Sequence, residues 1–557
     1  MSVTAIQEPK DVNLAAILGE SPAEPKWLRW LDKVAVRAGD AINPILIKET
    51  RQALKSRQFL VTFSLLLFAA LGWTIAGSLL LMPQIYFLPS APTMLTGYYL
   101  VLAVPMLLVV PLAAYRSLEG EIDDGTLELL SVTSLSPRQI VFGKLGSAVL
   151  QMMLYFVALF PCVAYAYTLR GVDIPTIAIL MGLLVTFGLT LTIVSIFFAP
   201  MARVRSSQVS TLLVVMALLI GGEIAAGSLA INLIQYGNPL TAQQTGFLVV
   251  AVVLFTGTLS LVFLMATAVQ LTPDSENRST PVRMSLMIHQ VAVVGIAAYS
   301  LDLGFDIAWF TLLAMTGHLV VTWVSVGAMM CAEAPTMTPR IRRELPGTFL
   351  SRLLFIWFTP GPATGFVFAI VNLIAGMLAM SLLFDEAQRL PDVRPVARMV
   401  ASYRMMITLL IAYLCIALIG VRVIISILRT RNTVRVGVGM AAMAVVLLVM
   451  ALIPYSIGLH WNDYRQYPYS VWQITNWVWT LGLAETNGLP EEAYWLVMAL
   501  GGMAFFGHLL LLGRVVLPQR LLTPQRVLEE RKRMQKILLP ETTPIDPLGL
   551  GTEGKPV

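Results

Sequence analysis

Charged residues are scarce in this chain of 557 residues: Asp, Glu, Lys and Arg make up 13% of it, and hydrophobic residues make up 57%. A soluble domain is about 25% charged, because its whole surface must face water. So few charges cannot build such a surface for a body of this size. The composition therefore excludes a soluble enzyme, a nucleic-acid-binding domain and a disordered scaffold, and it indicates a chain largely embedded in a membrane.

Cysteine and histidine are also scarce. Cys162, Cys331 and Cys415 lie in or at the ends of apolar runs, where a thiol behaves as a small hydrophobic group, so they predict neither a disulfide framework nor a zinc site. The four histidines show no H-x-x-x-H spacing, and no Gly-x-Ser-x-Gly elbow is present. We therefore expect no catalytic residue and no metal ligand, and a protein that is not itself an enzyme.

Long apolar runs, by contrast, are abundant. A bilayer core about 30 Å thick needs about 20 apolar residues as helix, because backbone polar groups must be hydrogen-bonded within the segment. Twelve such runs predict an all-α, polytopic integral membrane protein. They are residues 59–82, 97–115, 148–167, 177–200, 211–234, 247–271, 285–302, 307–331, 362–384, 405–428, 436–459 and 494–517.

Basic residues indicate the orientation, since cytoplasmic segments retain Lys and Arg. With both termini inside, 32 of the 38 basic residues lie on the inner side. The bias explains the net charge of +6 without a nucleic-acid partner. One predicted outer loop, Asp385 to Arg404, contradicts this charge bias because it carries four arginines. Just before the span that precedes this loop, Thr359-Pro360-Gly361-Pro362 interrupts a hydrophobic run.

The polar segments divide the chain into five parts. Residues 1–58 form a cytoplasmic region, 59–271 a six-span half, 272–284 a linker, 285–517 a second six-span half, and 518–557 a charged tail. Two interfacial helices are predicted in the first part. One carries Trp27, Trp30 and Leu31 on its apolar face. The other starts at Asn43-Pro44 and runs straight into the first span.

The inner loop from Arg116 to Lys144 is acidic on the side where positive charge is favoured. Gly125 suits a left-handed helix C-cap, Thr126 can cap a short helix through Leu130, and Ser136-Pro137 can open the third span. Such a loop fits either a docking surface for a basic partner groove or a merely solvated segment. Its acids are Glu119, Glu121, Asp123, Asp124 and Glu128.

The ordered set of motifs over residues 42–271 resembles the membrane subunit of type-2 ATP-binding-cassette exporters. The motifs run from Asn43-Pro44 through Lys48-Glu49-Thr50-Arg51 to Gly125-Thr126-Leu127-Glu128 and Ser136-Pro137. The resemblance implies a connecting helix with Asn43, Pro44, Lys48, Glu49 and Arg51. It also implies an ATPase-coupling loop with Glu119, Glu121, Asp123, Asp124, Gly125, Thr126, Glu128, Ser136 and Pro137.

The same resemblance implies a cytosolic ATPase partner that carries ATP and Mg, a location in the bacterial inner or plasma membrane, and contact with membrane lipid. It leaves open whether a second permease chain pairs with this one. No cofactor is expected on this chain, because its only phosphate-loop spacing, Gly549 to Pro556, has proline where Ser or Thr must bind magnesium. The second half lacks the Gly-Thr-x-Glu element, and its corresponding loop is basic.

Glu223 is the first candidate for a residue lining a translocation path, because an ionisable group within a span is costly and often functional. A helix contact is the alternative for it. His318 and His508 fit packed, hydrogen-bonded histidines better, and the aromatic residues from Trp461 to Trp479 fit an interfacial belt or a portal for an apolar substrate. Two other functions stay open: a secondary transporter with Glu223 as its ion site, and a membrane anchor without transport.

The orientation can be tested by cysteine labelling of a chain whose three native cysteines are replaced by alanine. We expect Asp463→Cys, in a predicted outer loop, to react with a membrane-impermeant maleimide on intact cells. Glu529→Cys, in the predicted inner tail, should react only after permeabilisation. Labelling of both positions on intact cells would contradict the predicted orientation.

Overall fold

We describe the chain from a computed structural model, for residues 44–126, 135–201, 205–273, 276–334, 338–345, 348, 350–351, 355–390, 397–430, 436–486, 488–516 and 525–538. These residues form helices and connections and no strand. Twelve of these helices are long and apolar enough to cross a membrane, and each overlaps one of the twelve predicted runs. The prediction of an all-α, multi-pass membrane protein is confirmed.

The first compact unit is Met1–Asn238 and holds five of these spans. The helices that matter for the site are α1 (Pro44–Leu54), α2 (Arg57–Leu80), α3 (Ala91–Ala103), α4 (Val110–Asp123), α5 (Pro137–Thr168), α6 (Ile174–Phe198) and α7 (Arg205–Tyr236). A π-helical turn, Val104–Val109, joins α3 to α4 within the second span, at Pro105.

The second compact unit is Pro239–Val557 and holds the other seven spans. The boundary between the units thus precedes the sixth span, whereas the sequence placed a boundary after it. The helices of this unit are α8 (Ala242–Leu271), α9 (Ser279–Ser300), α10 (Phe305–Cys331), α11 (Pro339–Glu344), α12 (Pro362–Ala387), α13 (Ala397–Arg429), α14 (Val438–Trp461), α15 (Trp477–Glu485), α16 (Glu491–Val516) and α17 (Gln525–Leu538).

The N-terminal prediction needs one correction. The helix that begins at Pro44 ends at Leu54 and does not continue into the first span. Ser56 is extended and accepts a hydrogen bond from the Phe59 amide, so it is the N-cap of α2. This break makes α1 a separate helix. The helix predicted around Trp27 lies outside the described residues.

A buried ion pair holds the segment before α12 in the second unit. The fully buried Arg283 of α9 donates to Glu333, 2.8 Å away, and to the carbonyl of Thr359, 2.7 Å away. Glu333 also accepts from the Gly361 amide at 2.7 Å. The Thr359-Pro360-Gly361-Pro362 interruption is therefore a fixed connection that ends in the first turn of α12, with Pro362 at a position where its missing N–H is not needed.

Two of the arginines that disagree with the charge bias have acidic partners. Arg404 pairs with Asp385, and Arg389 pairs with Glu386 at 2.9 Å. The aromatic segment after α14 is divided between exposed and packed residues. Trp472 is 80% exposed, whereas Trp477 donates its indole N–H to the Leu447 carbonyl and packs against α13 and α16. An interfacial belt accounts for only part of this segment.

We expect Arg283→Gln to lower the free energy of unfolding by about 3 kcal/mol, because it leaves Glu333 without its base. The double change Arg283→Gln with Glu333→Gln should cost less than the two single changes together. Arg340→Gln is a matched control, since Arg340 pairs with Glu276 at an exposed site. It should lower the free energy of unfolding by less than about 1 kcal/mol. Denaturant titration in micelles measures all three, and equal effects at both arginines would contradict the assignment.

Candidate functional site

A cluster of charged side chains joins α1, α4 and α5 at the end of the first unit where spans two and three are connected. Lys144 of α5 is its centre: its ammonium lies 3.2 Å from Glu49 and 3.1 Å from Glu121. It also donates to the Ser117 hydroxyl at 2.7 Å, and Ser117 in turn donates to Glu49 at 3.0 Å. Together with Lys48, these residues are called the Lys144 cluster below.

Burial differs sharply between the two lysines of the cluster. The Lys144 side chain is 1% exposed, whereas that of Lys48, 3.3 Å from Glu121, is 59% exposed. Removing an ammonium from water is costly unless partners compensate, and two carboxylates and a hydroxyl do so here. Lys144 therefore acts as the interior tie among three helices, and Lys48 adds a solvent-exposed contact between α1 and α4.

Local sequence explains how the cluster forms. Ser117 and Glu121 are four residues apart on α4 and so share one helix face. Lys144 lies two turns into α5, beyond the cap. Gly146 lets α1 approach closely, because a Cβ at this position would lie 2.9 Å from a methyl group of Leu46. Gly146 and the ion pairs of Lys144 thus favour the same contact between α1 and α5.

The capping predictions for the third span are confirmed. Ser136 and Gln139 form a reciprocal capping box, and Pro137 occupies the first turn of α5. Gly125 has φ of +66°, the left-handed conformation that the C-terminal end of α4 requires. Glu128 lies among residues 127–134, which are outside the described residues. The short helix predicted to begin at Thr126 would run into the same residues. Thr126 itself donates to the Glu121 carbonyl at 3.0 Å.

The acids of the predicted coupling loop are in different environments. Glu119 accepts from the Tyr115 hydroxyl at 3.0 Å, and Asp123 accepts from the Gln208 amide at 2.9 Å, which ties α4 to α7. Glu121 belongs to the Lys144 cluster. Asp124 is exposed at the end of α4. The described part of this loop therefore contains both structural carboxylates and one that is free to face a partner.

The structure has a helix at the position of the predicted connecting helix, and its contact with an ATPase stays a prediction. Glu49 is buried in the Lys144 cluster, while Pro44 and Arg51 are exposed. Asn43 lies outside the described residues. The outer face of α1 is thus available for contact, and its inner face is held against α5.

A cavity of about 270 Å³ lies beside the Lys144 cluster, between α1, α2, α4 and α5. Its polar lining includes Gln52, Arg116 and Gln151, and at its apolar end Thr62 and Tyr155 are hydrogen-bonded at 2.7 Å. Glu49 and Lys144 line it as well. The charged tie therefore borders a partly polar space rather than a fully packed core.

Glu223 is not part of this site. It lies midway along the fifth span on α7, is partly buried, and one of its carboxylate oxygens is buried without a hydrogen-bond partner. Nearby, the Tyr99 hydroxyl donates to the Ala226 carbonyl at 3.3 Å, and Gly222 faces Leu191 so closely that a Cβ would lie 2.9 Å from its methyl group. This surrounding supports a contact among α3, α6 and α7. The role in a translocation path stays a prediction.

No family model, curated protein or solved structure matches this chain. Within the described ranges, no three His, Cys, Asp or Glu side chains converge to hold a metal ion.

Sequence reasoning did not identify several of the polar residues that matter. Lys144 marks the end of the acidic loop in the sequence and is not among the predicted site residues. A lysine that follows an acidic loop and lies just before an apolar run is nevertheless a signal for a buried ion pair. Ser117 carried no signal, since a single serine does not reveal its partners. The remaining pairs that pattern reasoning missed are Arg283 with Glu333, His289 with His318, and Arg422 with His508.

We expect Lys144→Met to lower the free energy of unfolding by about 3 kcal/mol, because Glu49 and Glu121 would face each other without their shared base. Adding Glu49→Gln should recover part of that loss, with a coupling of about 1 kcal/mol or more. Arg138→Met makes the same change at an exposed position of α5 and should alter stability by no more than about 0.5 kcal/mol. Additive effects of the changes at positions 49 and 144 in denaturant titration would contradict the tie.

Proposed function

We propose that this multi-pass membrane protein is the permease subunit of an ATP-binding-cassette exporter that works with a separate ATPase subunit. The observation that supports this best is the Lys144 cluster. It joins the predicted connecting helix, through Glu49, to the helix that leads into the predicted coupling loop, through Glu121. Two segments that the motif resemblance assigns to ATPase contact are thereby linked to one span.

The proposed mechanism is mechanical. A push on the loop after Asp123 reaches Glu121 through the last turn of α4, and Lys144 passes it to α1 and to the third span. A buried ion pair suits this role, because breaking it costs several kcal/mol and the three helices therefore move together. ATP and Mg bind to the partner, the permease undergoes no covalent chemistry, and both termini face the cytosol of a bacterial inner membrane.

Exposed charged residues indicate where the ATPase partner would bind. Asp124 is exposed beyond the last turn of α4, and Lys48 and Arg51 are exposed on α1. A partner groove that carries basic residues opposite Asp124 would dock there. Because Glu121 and Asp123 already have partners within the chain, Asp124 is the better residue with which to probe binding.

We expect the chain, solubilised gently from its native membrane, to co-purify with an ATPase, and Asp124→Lys to weaken that binding by about tenfold or more. Like charges facing each other across an interface cost several kcal/mol, and 1.4 kcal/mol corresponds to tenfold. Quantitative mass spectrometry and ATPase rates of the purified complex measure the effect.

Asp173→Lys is the matched control, since Asp173 is an exposed acid of the same unit at the N-terminal end of α6, on the opposite side of the membrane from Asp124. It should leave binding unchanged. A wild-type chain that never carries an ATPase would refute the proposed function, and so would an unaltered complex with Asp124→Lys.

A further inference from the structure

Two histidines face each other inside the membrane-spanning part of the second unit. Nε2 of His289, on α9, lies 2.8 Å from Nε2 of His318, on α10. His289 is 1% exposed, and His318 is at the midpoint of its span. Ionisable residues at such depth are rare, and where they occur they commonly mark ion or proton sites.

Hydrogen-bond partners assign the protons of this pair. The hydroxyl of Thr258, on α8, lies 2.8 Å from His289 Nδ1 and also donates to the Leu254 carbonyl at 2.8 Å. A hydroxyl has only one proton, so while Thr258 donates to the Leu254 carbonyl it accepts from His289 Nδ1–H. His289 Nε2 is then a bare acceptor, and the proton between the rings belongs to His318 Nε2.

This assignment leaves one free base. His318 Nδ1 carries a lone pair and has no hydrogen-bond partner among the described residues. A proton added there leaves the bond from His318 Nε2 to His289 intact. His289 has no such vacant nitrogen, and a second charge would place two imidazolium rings 5.0 Å apart. The pair can therefore take up one extra proton without rearranging.

One aromatic ring packs against both histidines. The ring of Phe255 lies 4.7 Å from the His318 ring, in an edge-on arrangement, and 5.4 Å from that of His289. His318 is the less buried of the two residues.

Among the residues that the structure describes, no fixed charge contacts the pair. Helix α8 has no ionisable side chain, and none of the described ionisable groups on the helices packed around α9 and α10 hydrogen-bonds to either ring. Tyr403 comes nearest through hydrogen bonding, since it contacts Thr316, two residues before His318. The groups on these elements are Arg283, Tyr299, Asp302, Asp306, Cys331, Asp385, Glu386, Tyr403, Arg404, Tyr413, Cys415, Arg422, Arg429, Tyr455 and His460.

We propose that the His289–His318 pair is an intramembrane proton-binding site, at which His318 Nδ1 takes up one proton while Thr258, His289 and Phe255 hold the ring in place. The proton introduces a charge between α8, α9 and α10 that no carboxylate in the described ranges neutralises. Uptake therefore favours arrangements of these three helices in which water reaches His318. This inference concerns the second unit alone and stands independently of the proposed ATPase partner.

Histidine NMR tests the proposal directly, because the chain has only four histidines to assign. The full chain, labelled with ¹³C and ¹⁵N in histidine, is placed in lipid nanodiscs and titrated from about pH 8 to about pH 4, a range that spans the ordinary histidine pKa of about 6.5. His289→Gln, His318→Gln and His460→Gln assign the signals. We expect His289 to carry Nδ1–H throughout, and His318 to change from Nε2–H alone to the doubly protonated ring.

The matched variants are Thr258→Val and Thr256→Val. Both lie on α8, but the Thr256 hydroxyl bonds only to backbone carbonyls. We expect Thr258→Val to weaken proton uptake by His318 about tenfold, because His289 loses the acceptor that fixes its tautomer, and Thr256→Val to leave it unchanged. The proposal is overturned if His318 stays neutral throughout the titration, if His289 is the ring that charges, or if both threonine variants behave alike.

Discussion

A buried charge in a membrane protein must find its counter-charge within the protein, because the lipid around it offers none. In the first unit Lys144 meets Glu49 and Glu121, and in the second unit Arg283 meets Glu333. In each case the base joins elements that are distant in sequence. The positions of α1 in one unit and of the segment before α12 in the other depend on these contacts, since few other polar groups could fix them in apolar surroundings.

The two ties differ in what they leave free. Arg283 and Glu333 form hydrogen bonds with backbone groups of Thr359 and Gly361 as well as with each other, so they fix the connection before α12. Lys144 bonds side chains only, apart from the Ser117 carbonyl, and its carboxylates come from two helices. A contact made of side chains can be exchanged in a concerted movement without unfolding backbone. That difference makes the Lys144 cluster the better candidate for transmitting motion.

Features with a local physical cause could be predicted from the sequence. Twelve spans follow from run length, and the cap of the third span follows from Ser136, Pro137 and Gln139, because these depend on neighbours along the chain. The break at Ser56 was missed, since the basic residues on either side continue a helical pattern. Pairings such as Lys144 with Glu49 could not be derived, because they depend on how helices separated by about 95 residues pack. The grouping of the sixth span with the second unit could not be derived either, because it also depends on how helices distant in sequence pack.

The histidine pair shows why pattern reasoning undervalues residues of this kind. Each histidine alone fits a packed core residue, and a spacing of 29 residues matches no motif. Packing α9 against α10 changes the chemistry, because two rings that face each other must adopt different tautomers and leave one basic nitrogen. A charge at that nitrogen has a large effect on helix packing, since no described carboxylate contacts it. The second unit thus combines a fixed ion pair, Arg283 with Glu333, with a histidine pair at mid-span where we infer a charge that depends on protons.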